Sequence, residues 1–379
     1  MKVRQTSIRN AEANAADFSN LAEIAPNLIL AFGSVAALCQ GADVIAQAFP
    51  DAYRAGCSTA GEISTKGVED GTLVVTALRF DATRLAQAST VLAGMDDSFA
   101  AGKRLASALP VSGLRAILIF GQGVKINGSA VLSGMTEIVG TKIAITGGLA
   151  GDGGAFAQTW VLDENGVSSD RLTCVGLYGE ALVFSHGSFG GWSPFGPARK
   201  VTRSENNVLF ELDGESALEV YKRYLGDHAN GLPASGLLFP FAMLGSDHSE
   251  VGLIRTILGI DQATGSLTLA GDIDPDGYLR LMHASTDALV DGAEAAAQAA
   301  QAMHANAGEG LALLVSCVGR KLVMGGRVDE EVEAVGEVFG QAATLAGFYS
   351  YGEISPFIPA VECKLHNQTM TITYISETP

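Results

Sequence analysis

The chain reads as an α+β protein: two pseudo-symmetric halves of mixed β-sheet with flanking helices, built from internally repeated units. Three observations lead there. Short apolar runs that stop at glycine (Leu28–Phe32, Ala116–Phe120, Ala312–Val318) have the length and punctuation of buried strands. Stretches with helical spacing follow them. The sequence Gly-Glu-Ile-Ser occurs twice, within GCSTAGEIS at 56–64 and GFYSYGEISP at 347–356, each after a strand-like segment. With 379 residues, two domains are the first expectation.

The elements follow in order. Residues 1–19 are polar and open as a strand or arm. Leu28–Phe32 is a buried strand ending at Gly33-Ser34, and Val35 to Phe49 has helical spacing up to Pro50. Tyr53–Gly56 leads into the first Gly-Glu-Ile-Ser turn, and Thr72–Phe80 is a clear strand. Residues 81–97 continue as strand or loop, and Ser98–Leu109 is a helix closed by Pro110. The pattern recurs with strand Ala116–Phe120, helix Gly128–Val139 and strand Lys142–Thr146, which opens into GGLAGDGG. Thr159–Leu162 and Thr173–Leu177 flank turn signals as the strands of a hairpin would. Ala181–Ser185 is a further strand.

The Gly-, Pro- and aromatic-rich loop from Gly187 to Pro197 marks the boundary between the halves, 1–190 and 191–379. Beyond it come a helix at Ser216–Leu225 and an apolar stretch at Leu237–Leu244, whose Pro240 points to an edge or bulge. A strand at Gly277–Met282 and an Ala-rich helix at Thr286–Asn306 follow. The last unit echoes the first: strand Ala312–Val318, helix Asp329–Gln341 with an acidic first turn, then the second Gly-Glu-Ile-Ser turn and an alternating strand at Thr369–Ile375. Four related turns stand out, at Ala60–Ile63, Ala150–Gly153, Ala270–Ile273 and Tyr351–Ile354; the first and last match best.

Composition narrows the function. Hydrophobic residues make up 47% and charged ones 17%, enough apolar content for a large core. The formal net charge of −17 repels polyanions, which argues against nucleic acid and anionic membrane surfaces. Five scattered cysteines form no Cys-x-x-Cys pair and read as reduced buried thiols. No signal-peptide pattern or membrane-length apolar run is present, so a cytoplasmic location is expected.

Two constellations invite chemistry. The acids of the turns, Glu62, Asp152, Asp272 and Glu353, follow glycines that permit close approach of a ligand, or else accept bonds within their own turns. Glu62 and Glu353, with Tyr351 beside the second, are expected to line a ligand pocket. Cys57 follows Gly56 at a strand end, where a nucleophile or a ligand contact can be exposed; its counterpart in the last unit is Phe348, which favours packing. Among six histidines no two have metal-ligand spacing. His186 stands apart, at a strand end where an aromatic loop with Phe189, Trp192 and Phe195 begins. An imidazole against such walls suits an iron porphyrin. His366, opening HNQTMT, is the second candidate, and which of the two would bind iron stays open. His228 and His304 read as helix-end surface residues. No complete nucleophile–base set is apparent, so the chain is expected not to be an enzyme.

The stretches GCSTAGEI (56–63), SHGSFGGWSPFGPARKVTRSENNVLFELDGESALEVYKRYLG (185–226), CVGRKLVMGGRVDEEVEAVGEVFG (317–340) and FYSYGEISP with ECKLHNQTMTITYISE (348–377) carry a resemblance. They resemble FIST-domain proteins, a bacterial sensory family with N- and C-terminal FIST regions, and are most similar to the nitric-oxide-sensing haemoproteins of the NosP type. The resemblance implies a cytoplasmic ligand-binding sensor. A haem b held by His186 or His366 would bind nitric oxide, and the signal would pass to a partner histidine kinase or to a diguanylate cyclase or phosphodiesterase. The alternative is a haem-free sensor of a small metabolite such as an amino acid.

Overall fold

The computed structural model describes residues 1–9, 13–303, 309–357 and 362–378. His304, and the end of the Ala-rich helix expected to reach Asn306, lie outside the described residues.

One arrangement of strands is built three times. The first unit contains β1 (Lys2–Arg9), a short α1 (Ser19–Ala22), β2 (Leu28–Gly33), α2 (Val35–Ala48) and β3 (Tyr53–Ser58). A small hairpin, β4 (Glu62–Ser64) and β5 (Gly67–Glu69), then precedes β6 (Thr72–Arg79). The second unit repeats this as β7 (Arg84–Val91), α3 (Ser98–Ser107), β8 (Leu114–Gly121), α4 (Gly128–Val139) and β9 (Ala144–Leu149). Its hairpin is β10 (Val161–Asp163) and β11 (Gly166–Ser168), and β12 (Arg171–Tyr178) completes it.

The third unit starts with β13 (Leu182–Phe189) and is then interrupted. The interruption carries β14 (Ser193–Glu205), β15 (Val208–Leu212), β16 (Glu215–Ser216), α5 (Ala217–Leu225), β17 (Phe241–Leu244) and β18 (Glu250–Arg255). It continues with β19 (Ile257–Asp261), β20 (Ser266–Leu269) and β21 (Tyr278–His283). The unit resumes with α6 (Thr286–Ala302), β22 (Gly310–Cys317), α7 (Val318–Met324), α8 (Asp329–Phe339) and β23 (Ala343–Ser350). The hairpin β24 (Gly352–Pro356) and β25 (Cys363–His366), then β26 (Met370–Glu377), finish the chain.

The sheet orders are β1-β6-β2-β3-β10-β11, β7-β12-β8-β9-β24-β25 and β13-β26-β22-β23-β4-β5. Each unit thus completes its sheet with a hairpin from another unit, in a closed cycle. Within each sheet only the β2–β3, β8–β9 and β22–β23 pairs are parallel, as a helical crossover requires. The expected hairpin between 159–162 and 173–177 is therefore not formed. β10 turns back on β11 and pairs with β3, while β12 lies in the second sheet. The interruption folds as a fourth sheet, β18-β17-β21-β14-β15-β20-β19. Pro240 stands just before β17, where its missing N–H costs no ladder bond.

Alternation explains how the three sheets meet. Leu28, Leu30 and Phe32 of β2, Ala116, Leu118 and Phe120 of β8, and Leu311, Leu313 and Val315 of β22 share one central core. Their neighbours Ile29, Ile117 and Leu314 point outward to cores under the helices. Every other residue of these strands is thus apolar on a different account, which is why the runs read as continuously hydrophobic. The α2 helix shows the matching period, burying Ala37, Leu38, Gly41, Ala42 and Ile45, and Ser34 caps it by accepting from the Ala37 amide at 3.3 Å. Among the described residues no helix is long and apolar enough to cross a membrane. All five cysteines are free thiols, four of them buried.

Candidate functional site

The Gly-Glu-Ile-Ser turns are hairpin starts, and the register shows what they are for. Ile63 lies opposite Gly347, Leu162 opposite Gly56 and Ile354 opposite Gly147. These are equivalent positions, so Glu62 and Glu353 correspond to Val161. Asp152 belongs instead to a longer excursion before β10, and Asp272 to the fourth sheet, so the four turns are not one repeat. A Cβ on Gly56 or Gly347 would come within 1.8 Å of the carbonyl oxygen of Ala31 or Leu314, so glycine is required where the parallel strands approach.

Both glutamates are buried and turned to their own unit. Glu62 accepts from the Thr59 hydroxyl and from the Thr72 amide and hydroxyl at 2.9 and 2.8 Å. Glu353 accepts from the Ser350 hydroxyl at 2.7 Å and from the Thr369 amide and hydroxyl at 3.1 and 2.9 Å. Burial pushes the Glu353 carboxyl up to about 7, against the pull of those three donors. Glu62 is raised by the same cause. A raised carboxyl pKa stabilises the fold most below its unfolded value near 4.5, and this contribution is lost as pH rises through about 7. Glu353→Gln, which keeps the shape, is therefore expected to lessen the loss of stability between pH 4.5 and 7.5, by up to roughly 3 kcal/mol. Urea melts of both proteins across that range check it; parallel pH profiles would refute it.

Cys57 is fully buried in the central core, and burial drives its thiol well above the ordinary range. Its register equivalent is indeed Phe348. Tyr351 stacks on Phe156 at 4.1 Å and donates to Asp152; that carboxylate also accepts from the Phe156, Ala157 and Gln158 amides. Tyr351 also touches a cavity of about 250 Å³ beside Asn127 and Leu258.

A larger cavity, of about 470 Å³, lies between the fourth sheet and the third unit. Its floor is one face of β18, β17, β21 and β14. The residues there are Glu250, Gly252 and Ile254, then Ala242, then Arg280 and Met282, then Pro194. Period two sends the alternate residues Leu279 and Leu281 to the core on the other face. The opposite wall is the loop Ser188–Trp192, the small Ala295 and Ala299 of α6, and His366 with Thr369. Phe357 closes one side, over Gly252, where any Cβ would strike its ring.

Of the sequence candidates, Trp192 and His366 meet in this cavity. Trp192 donates from Nε1 to the Gln368 carbonyl at 2.7 Å, tying the glycine loop to the turn that carries His366. His366 is buried, and its Nε2 lies 3.1 Å from the Ser355 carbonyl. Since a carbonyl only accepts, Nε2 carries the proton and Nδ1 the lone pair. Burial pushes this imidazole down to about 4, so it is neutral at physiological pH. His186 sits on β13 beside Thr373, also lowered by burial, with a buried Nδ1 that has no partner; it is not part of the cavity wall. Phe195 lies outside as well, half-exposed and edge-on to His283 at 5.9 Å. Among the described residues no three metal-ligating side chains cluster.

Sequence reasoning missed Arg280, Met243, Met282 and Phe357. A signal existed for the first: Arg280 is the lone cation within the apolar strand Tyr278–His283. It also missed the ion pair that fixes the cavity loop. Arg320 and Glu331, both fully buried, meet at 2.7 Å, and Arg320 donates to the carbonyls of Gly190 and, at 2.8 Å, Leu289.

The FIST N domain model matches residues 27–215 and the FIST C domain model residues 217–356. Against the curated proteins no match was found. Among solved structures the chain is similar to a cyanuric acid hydrolase from A. caulinodans, with TM-score 0.38 and 10% identity over 100% of this chain and 99% of that one. A second cyanuric acid hydrolase structure, described as an evolutionary innovation by structural concatenation, gives TM-score 0.34 and 8% identity over 99% of both chains. These neighbours are enzymes, so the expectation that the chain is not an enzyme is withdrawn; at this distance they assign it no reaction.

Proposed function

Since the chain belongs to the FIST family, whose domains are signal-transduction sensors that bind small ligands, we propose that its ligand seats in the 470 Å³ cavity between the fourth sheet and the third unit. The cavity itself carries this reading. Its wall is mostly apolar and aromatic, with a few polar groups converging from separate elements: Arg280, His366, Thr369 and Glu250. That is the anatomy of a pre-formed small-molecule site.

The finer reading is haem b. His366 is the residue that would take the iron, because its imidazole is neutral and its Nδ1 lone pair is left free by the bond to Ser355. Trp192, Met243, Met282 and Phe357 would enclose the macrocycle and exclude water, and Arg280 would face a propionate. When bound, the group supplies ferrous iron with affinity for nitric oxide. A change at the turn His366–Thr369 reaches Glu353 directly through Thr369, and a partner histidine kinase or cyclic-di-GMP enzyme would read the outcome. Titrating the protein with haemin is expected to give a saturable Soret band that His366→Ala abolishes and His186→Ala retains. A ferrous nitrosyl spectrum would follow in the wild type. No saturable band, or one indifferent to His366, would remove the haem reading.

A second reading, a haem-free sensor of an amino acid, rests on a separate observation. Arg280 and Glu250 bring opposite charges to one face of the fourth sheet, as a zwitterion needs. A thermal-shift screen over the amino acids tests it, and a flat screen beside a positive haemin titration would dismiss it.

A further inference from the structure

We propose that the ligand of the large cavity carries a carboxylate on an apolar body, and that Arg280 is its anchor; this rests on the cavity being the sensor's ligand site.

Arg320 pairs with Glu331 and Arg171 with Asp163; Arg199 holds Asp213 and Tyr224. Arg255, without a carboxylate bond, still donates to the carbonyls of Asp272, Ile254 and Leu365. Among the described residues two arginines have neither a hydrogen-bond acceptor nor an ion pair: Arg84, exposed and lying over the Tyr178 ring, and Arg280, which lines the cavity and whose Nε is buried. A guanidinium is always charged, and a buried donor without an acceptor is costly. A fold that sets this cation in the wall of a cavity with no protein acceptor has left the acceptor to something that enters the cavity.

The chemistry of that acceptor follows from the guanidinium edge. At the outer edge of a guanidinium two Nη–H groups point the same way and match the two oxygens of a carboxylate, in two parallel charge-assisted bonds. None of the cavity's own acceptors, Glu250, His366, Thr369 and Ser188, bonds Arg280; the Trp192 indole is a donor already bonded to Gln368, and Met243, Met282, Ile254 and Phe357 are apolar. Glu250, exposed on the same sheet face, disfavours a second negative charge. The ligand class is therefore an apolar or aromatic molecule with one inward carboxylate. Haem propionate and an amino-acid carboxylate both satisfy it, so the anchor does not depend on which reading holds.

Matched acid and amide probes test the assignment: indole-3-propionate against indole-3-propionamide, and octanoate against octanamide, on the whole chain by thermal shift and calorimetry. The acids are expected to bind at least tenfold more tightly than the amides. Arg280→Gln should erase that preference, Arg280→Lys should keep part of it, and Ala299→Trp, which fills the cavity, should block both acid and amide. Equal binding of acid and amide overturns the anchor and leaves the cavity as the ligand site. An acid preference that survives Arg280→Gln places the contact elsewhere and also overturns it; should that variant not fold, the wild-type acid-to-amide ratio decides alone. If no probe binds, the proposal falls, and the haemin titration shows whether the cavity reading falls with it.

Discussion

Arg320→Met is expected to destabilise the protein by about 3–5 kcal/mol, because it leaves the Glu331 carboxylate buried without its counter-charge. Glu331 would keep the Ser316 and Tyr349 hydroxyls, which are donors to Oε1, and lose both bonds to Oε2 at 3.1 and 2.7 Å. The variant also removes the donors to the Gly190 and Leu289 carbonyls. One belongs to the cavity loop and the other to the first turn of α6, so the damage extends to the binding site. The double variant Arg320→Met with Glu331→Leu removes the lone charge, and is expected to recover part of the loss while the loop stays loosened. Urea denaturation measures the first effect, and fluorescence of Trp192, two residues beyond Gly190, follows the second. A single variant within 1 kcal/mol of wild type would mean that the charge is relieved in some other way.

The contrast between what could be read in the chain and what could not follows the range of the interactions involved. Apolar runs such as Leu28–Phe32 and Ala116–Phe120 announce strands because a strand buried on both faces has no room for polar residues. The two Gly-Glu-Ile-Ser turns were legible as a repeat because both glutamates cap identical threonine-bearing strand starts, at Thr72 and Thr369. The third copy was not, because Val161 replaces the glutamate and the eleven residues of loop between β9 and β10 hide it. The exchange of hairpins between units was invisible as well. Period and turn chemistry say where a strand is, and only packing at a distance says which sheet receives it. His366 and Trp192 could be singled out by residue type and loop context. Arg280 could be noticed but not interpreted, since its meaning lies in lacking a partner, which no local pattern records. The same holds for Arg320 of α7 and Glu331 of α8, eleven residues apart in the chain and paired only by the fold.

Phe348→Cys is expected to cost about 3–5 kcal/mol, the range of large-to-small changes at a closely packed aromatic. Its ring stacks on Phe32 at 4.8 Å and lies 6.2 Å from Phe120, and those two meet edge-on at 5.5 Å. The repeat explains why the replacement need not be final. Phe32 lies opposite Cys57 and Phe120 opposite Gly148, so two units place the large residue on the first parallel strand and a small one on the second. The third unit reverses the order, with Val315 opposite Phe348. The central core therefore fixes a summed volume about its axis more strictly than the position of each ring. Adding Val315→Phe to Phe348→Cys gives the third unit the pattern of the first. The double variant is expected to be more stable than Phe348→Cys alone, whereas Val315→Phe by itself should overpack the core and destabilise it by about 1–3 kcal/mol. Equilibrium unfolding of the four proteins gives the coupling energy directly. Additive losses would show that each ring is held by its own surroundings and that the three units do not share one core volume.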